Sequence, residues 1–263
     1  MTSPSLADFA AAHEQLFEQY NELCATLTDE QMGTQSLCPD WKVRDVITHA
    51  IGVEAVLNGW APSVEDPPPF EQLAAFTAEA DGLNRDGFGA LITSTTSSRL
   101  SEMAELDPSV VDAPSITPTG IDTYGRFLQV RIFDLWVHLR DIAIPLGTAT
   151  DDSGFSAETA LAEVGSALGY IVGKKIGLPR GKSIAFHIEG EVADDLYVEV
   201  AERATPVDSL DAPDVELFSD VGTFVMLAAG RIDPEAQIDS GTIRWTGDAE
   251  WGRTAAENLA YTR

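Results

Sequence analysis

The stretch from Arg126 to Asp141, RFLQVRIFDLWVHLRD, constrains the fold of this chain more than any other. No Gly or Pro interrupts it before Pro145, and Phe127, Leu128, Val130, Ile132, Phe133, Leu135, Trp136, Val137 and Leu139 make it apolar nearly all round. A helix of that kind reads as buried. Yet Arg131, Asp134, His138 and Asp141 follow one another at spacings of three, four and three, which puts all of them on one face. Buried charges must be paired, hydrogen-bonded or metal-bound. Asp134 and His138, at i and i+4, have the spacing at which two side chains of one helix can grip one metal ion.

The segments before it supply partners. Leu6, Phe9, His13, Leu16, Tyr20, Leu23 and Leu27 recur at three and four and predict an amphipathic helix over 6–27. His13 lies on its apolar stripe and reads as a core or edge histidine bonded to a neighbouring helix. Asp40 is the expected N-cap of a second helix, Val43 to Leu57, with His49 beside its core face. Gly59 and Pro67-Pro68-Pro69 mark a surface loop. Gly82, Gly87 and Gly89 split the region from Phe70 to Leu106, and its second piece, about Ala90 to Leu106, is the expected third bundle helix. A loop carrying Pro108, Pro114 and Pro118 leads to the fourth, about 121–144. Four amphipathic helices joined by loops of this size predict a four-helix bundle, a fold that builds metal sites from side chains on facing helices.

After Gly147 the pattern changes. Thr148 to Gly154 is a polar linker, which sets expected domains at 1–147 and 155–263. Ala157 to Ile176 reads as a helix. Ile184, Phe186 and Ile188, then Leu196, Val198 and Val200, alternate as strands do, with further short strands at 215–218 and 242–246. Asp220 and Asp248 are placed to cap two more helices. The expected class is therefore multi-domain, α and α+β: a four-helix bundle followed by a smaller α+β domain with an antiparallel sheet.

Composition narrows the function. The 263 residues carry a formal charge of −27, a surface that nucleic acid and anionic membranes would repel. No run approaches the ~20 apolar residues of a membrane span, and the N-terminus lacks the basic start and apolar core of a signal peptide. Cys24 and Cys38 form neither a disulfide framework nor a CxxC pair, so a reducing cytoplasm is expected. There is no GxGxxG fingerprint, phosphate loop or GxSxG elbow. His187 alternates away from Phe186 and Ile188 and reads as a solvated strand residue. Arg231 follows an apolar helix, where it can balance the helix dipole or hold an anionic substrate.

His49, Asp134 and His138 together offer nitrogen, oxygen and nitrogen donors. Three protein ligands and one open position are the pattern of a catalytic zinc site. The spacing equally admits a buried Asp134–His138 pair with Arg131 balancing the charge.

The run Cys38-Pro39-Asp40-Trp41-Lys42-Val43-Arg44-Asp45-Val46, with His49 three residues on, resembles the first signature of the mycothiol-dependent maleylpyruvate isomerase family, within the wider DinB-like metal-binding bundles. Arg131-Ile132-Phe133-Asp134 and His138-Leu139-Arg140-Asp141-Ile142 resemble its second. Leu227-Ala228-Ala229-Gly230-Arg231 and Thr246-Gly247-Asp248 resemble the sterol-carrier-like domain that follows the bundle in many members. The resemblance implies His49, Asp134 and His138 as ligands of a divalent metal, zinc foremost, with mycothiol or a similar small thiol as cosubstrate and a small electrophilic molecule as substrate. In an isomerase the thiolate adds to a cis double bond, the bond rotates, and the thiolate leaves; in an S-transferase it stays attached. Arg131 and Asp141 would orient ligands and balance charge, and Arg231 would hold a substrate carboxylate. One departure stands out: the family's isomerase has Glu where this chain has Asp134, one methylene shorter. The rival reading is a non-catalytic bundle whose C-terminal domain binds an apolar ligand.

Overall fold

The computed structural model describes residues 4–262. The chain divides into two compact units between Thr150 and Asp151. Among the described residues no helix is long and apolar enough to cross a membrane.

The first unit is a helical bundle. Helix α1 spans Leu6–Thr26, opened by a capping box in which Ser5 and Asp8 satisfy each other's backbone N–H groups. After the single turn α2 (Asp29–Met32), α3 spans Val43–Leu57. Its N-cap is Lys42, not the expected Asp40: the carboxylate of Asp45, inside the first turn, reaches back to accept the Lys42 N–H at 2.7 Å, while Asp40 stays exposed in the preceding turn. A short helix α4 (Leu73–Asp81) packs on α3, and α5 follows over Arg85–Glu105. Helix α5 thus begins about a turn and a half earlier than the glycines suggested. The Asn84 side chain caps it by accepting from the Gly87 N–H at 2.9 Å, which absorbs Gly87 and Gly89 into the opening turns.

The expected proline-rich loop is also more ordered than its composition implies. Pro108–Asp112 form a 3-10 turn, and β1 (Pro114–Thr117) pairs antiparallel with β2 (Gly120–Thr123) around Pro118-Thr119. Helix α6 then runs over Tyr124–Leu146, capped by Thr123 and ended by Gly147 at φ 65°, the left-handed conformation that glycine adopts without strain. Helices α1 and α3 each pack against both α5 and α6. Tyr20, Trp136, Phe9, Phe17, Phe88 and Phe127 fill the interior.

The second unit opens with α7 (Gly154–Tyr170), which continues into one wide π turn over Ile171–Ile176. A five-stranded sheet follows, made of β3 (Ser183–Glu189), β4 (Asp194–Val200), β5 (Ala204–Val207), β6 (Val215–Asp220) and β7 (Arg244–Gly247), in the order β5-β4-β3-β6-β7. Helices α8 (Val221–Ala228), α9 (Pro234–Ser240) and α10 (Ala249–Glu257) complete it, with Asp220 and Asp248 capping α8 and α10 as their positions predicted. The α+β class holds. The sheet is antiparallel at three of its pairings, but β3 and β6 run parallel at its centre, Phe186 lying opposite Leu217. Alternation within a strand reports which face is buried, not the direction of its neighbour, so this pairing had no signature in the sequence.

Candidate metal centre

The polar stripe of α6 is a continuous chain of contacts. Arg131 Nη1 donates to Asp134 Oδ2 at 2.8 Å, Asp134 Oδ1 lies 3.6 Å from His138 Nε2, and His138 Nδ1 lies 2.9 Å from Asp141 Oδ2. Because Asp141 holds Nδ1, the nitrogen facing Asp134 is Nε2, and the ring is fixed in the orientation a metal-binding histidine needs. His49 enters from α3, its ring centroid 5.2 Å from that of His138 and nearly perpendicular to it. One donor atom from each of His49, Asp134 and His138 lies within 4.8 Å of the other two. His49 and Asp134 are partly exposed, Asp134 by 30% of its side chain, so the group opens outward while His138 is buried.

A loop braces the site from one side. Pro145 has no N–H to return to the Asp141 carbonyl, and the Leu37 N–H takes that acceptor at 3.0 Å instead. The Cys38 thiol donates to Asp141 Oδ2 at 3.2 Å. Ser36 Oγ and Gln35 Nε2 both donate to the Trp41 carbonyl at 2.8 Å, which fixes the turn. Trp41 is thereby held against both imidazoles, its ring 4.7 Å from His49 and 6.0 Å from His138. Cys38, His138 and Asp141 form a second close donor group, fully buried and sharing His138.

The electrostatics suit a cation. Burial drives the pKa of His49 down to about 4, Asp134 opposing and His138 and Arg131 adding to the effect, so this imidazole is neutral with its lone pair available. Burial also disfavours charge on His138, but Asp134 and Asp141 outweigh it and lift its pKa to about 10. Burial would raise Asp134, yet His138, Arg131 and His49 hold it down to about 2. The carboxylates thus draw positive charge into the middle of the group. Two imidazole nitrogens and one carboxylate oxygen are a donor set that zinc accepts, and the three residues fit such an ion.

The remaining sequence candidates have contacts of their own. His13 is wholly buried, but its Nδ1 pairs with the Phe9 carbonyl of its own helix at 2.8 Å rather than with a neighbouring helix. His187 is only partly exposed: Nδ1 lies 2.5 Å from Asp195 Oδ1, and its ring stacks on Phe218 at 4.8 Å. Arg231 belongs to the second unit and donates to the Ala229 carbonyl at 3.3 Å. Sequence reasoning missed Glu54 and Arg99, both essentially inaccessible to solvent. The signal for Glu54 was present: it falls four residues after Ala50 and seven after Ile47, on the buried face of α3.

The model of the mycothiol maleylpyruvate isomerase N-terminal domain matches residues 13–143, which contain all three candidate ligands. Residues 13–143, which make up most of the bundle, thus form a domain of that family. The crystal structure of a mycothiol-dependent maleylpyruvate isomerase superposes with a TM-score of 0.59 at 18% identity, covering 95% of this chain and 98% of that one. A histidine-to-alanine mutant of such an isomerase gives a TM-score of 0.60 with the same identity and coverage. At that identity the likeness establishes the fold, and it extends over both units. Rv0738, an uncharacterised protein of Mycobacterium tuberculosis, is 24% identical over 140 residues, 53% of this chain and 68% of that protein. A sterol carrier protein 2-like chain from Aedes aegypti covers 38% of this chain at 15% identity, with a TM-score of 0.30 that is too low to carry an argument.

Proposed function

We propose that this protein is a metal-dependent enzyme that uses a small thiol, mycothiol or a close analogue, to isomerise or to thiolate a small electrophile. The observation that carries the reading is the convergence of His49, Asp134 and His138, from two helices, within 4.8 Å at a partly open position. Zinc is the ion that best matches the donor set. Bound there, it would supply a Lewis acid that keeps a coordinated thiol deprotonated near neutral pH.

The chain's own residues do the rest. His49 and His138 present ring nitrogens, and Asp134 presents the oxygen that Arg131 leaves unoccupied. Asp141 fixes the tautomer and tilt of His138. Trp41 walls the site beside both histidines and narrows the approach of water. The shorter Asp134 keeps its carboxylate close to α6, and the ion with it. The family's isomerases and their thiol support the reaction class, and the open side of the group supports a small substrate.

The test uses untagged protein. Elemental analysis should find near-stoichiometric zinc, and turnover of a cis-configured electrophile with added thiol should fall on dialysis against a chelator and return with zinc. Protein with no bound metal, or with turnover indifferent to the chelator, refutes the proposal. The first of those outcomes would turn attention to the second unit as a carrier of apolar ligands.

A further inference from the structure

Glu54 is not among the three candidate ligands, yet it is tied to them. It lies on α3, five residues beyond His49, with no part of its side chain exposed. Oε1 accepts from Arg131 Nε at 2.9 Å and Oε2 accepts from Arg99 Nε at 3.3 Å. Arg99, on α5, also donates Nη2 to the Tyr124 hydroxyl at 2.9 Å and Nη1 to Glu102 at 2.6 Å. Arg131 extends Nη2 to the Ala50 carbonyl at 3.4 Å and Nη1 to Asp134. Three helices, α3, α5 and α6, therefore meet at one buried carboxylate.

A buried ion pair is often no more stabilising than well-packed apolar residues of the same volume, so what this one positions is the question to ask of it. We infer that Glu54 is a positioning residue of the metal centre, holding Arg131 so that it occupies Asp134 Oδ2 and leaves Oδ1 to the ion. The guanidinium is a rigid planar fork. With Nε held by Glu54 and Nη2 by Ala50, rotation about the Arg131 side chain stops, and Nη1 has one direction left, toward Asp134. The Asp134 carboxylate then has one oxygen engaged and one oxygen, Oδ1, turned to His138 Nε2. Glu54 thereby makes Asp134 a one-oxygen ligand and preserves the open position of the site. Arg99, the other partner of Glu54, touches neither Asp134 nor either histidine. The two partners consequently separate a role at the metal from a role in the fold. The inference rests on the metal reading proposed above.

The experiment loads the full chain with zinc and competes it with a chromophoric chelator, with thermal melts alongside. The proteins are wild type, Glu54→Gln, Arg131→Met, the double variant Glu54→Gln/Arg131→Met, and Arg99→Met. Glu54→Gln should weaken zinc binding about tenfold, the lower end of what outer-shell substitutions cost. The double variant should bind zinc no more weakly than Arg131→Met alone, because Glu54 acts only through Arg131. Arg99→Met should lower the melting temperature while leaving zinc affinity near wild type. Wild-type affinity in Glu54→Gln, or additive losses in the double variant, overturns the inference. If Glu54→Gln does not fold, Glu54→Asp, which keeps the charge but withdraws it by one methylene, is put through the same cycle and judged by the same outcomes. Wild-type protein that binds no zinc removes the metal reading and this inference together; zinc-binding wild type with unchanged variants removes the inference alone.

Discussion

Replacing Asp134 by Asn asks whether its carboxylate is a metal ligand or only a partner for Arg131. One oxygen is already taken, since Oδ2 accepts from Arg131 Nη1 at 2.8 Å. Asn has one oxygen and one NH2 group, so the substitution forces a choice. If the amide oxygen stays with Arg131, the NH2 turns toward His138 Nε2 and the ion loses a ligand. If the amide turns over, two donors confront each other across the Arg131 contact. The first arrangement wins, because Arg131 is also fixed by Glu54. Losing a ligand should cost at least the upper end of outer-shell effects, about 100-fold in metal affinity, or about 2.7 kcal/mol at ~1.36 kcal/mol per decade. The metal-free fold should change far less, since Arg131 keeps an acceptor in both places. Asp134→Glu should retain both metal and fold, because it supplies the residue found in the family's isomerase. Chelator competition and melting curves for the two variants, run side by side, decide the matter. An Asp134→Asn protein with wild-type zinc affinity would rule Asp134 out as a ligand and leave the two histidines too few for the site.

Other outcomes follow from the same geometry. His138→Ala should abolish stoichiometric metal binding and still melt cooperatively, since the residue belongs to the polar stripe of α6; elemental analysis with calorimetry checks both. Cys38→Ala should weaken metal binding by up to about tenfold through looser support of Asp141, and Cys38→Ser, which restores a donor to Asp141 Oδ2, should recover most of it in the same competition assay. Gly252→Ala should destabilise the second unit by about 1–3 kcal/mol in chemical denaturation, even though Ala is favoured over Gly by ~1 kcal/mol inside a helix. The added methyl would collide with the Trp245 indole packed against α10, so a stabilised variant would show that this contact is loose.

The bundle helices and the polar stripe of α6 were legible in the chain because both are periodic: a 3.6-residue repeat dictates which residues share a face. That rule put Arg131, Asp134, His138 and Asp141 in one row, and the contacts along α6 follow that row. The family signatures placed His49 beside it. Periodicity is silent about what lies across from a face, and most of what builds the site lies across. Glu54 meets Arg131 and Arg99 only once α3, α5 and α6 pack, over separations of 77 and 45 residues. Cys38 reaches Asp141 across 103 residues. The tie between Leu37 and Asp141 exists because Pro145 releases a carbonyl, a local rule whose beneficiary is distant in sequence. In the second unit, alternation fixed which strand faces are buried, but the parallel pairing of β3 with β6 was decided in three dimensions, since side-chain alternation is the same whichever way a neighbouring strand runs. The sequence thus determined the helices, the strand faces and the row of donors, each a property of a single element. Which oxygen of Asp134 is engaged by Arg131, and what holds Arg131 in place there, depend on side chains from three helices and were set only by the tertiary structure.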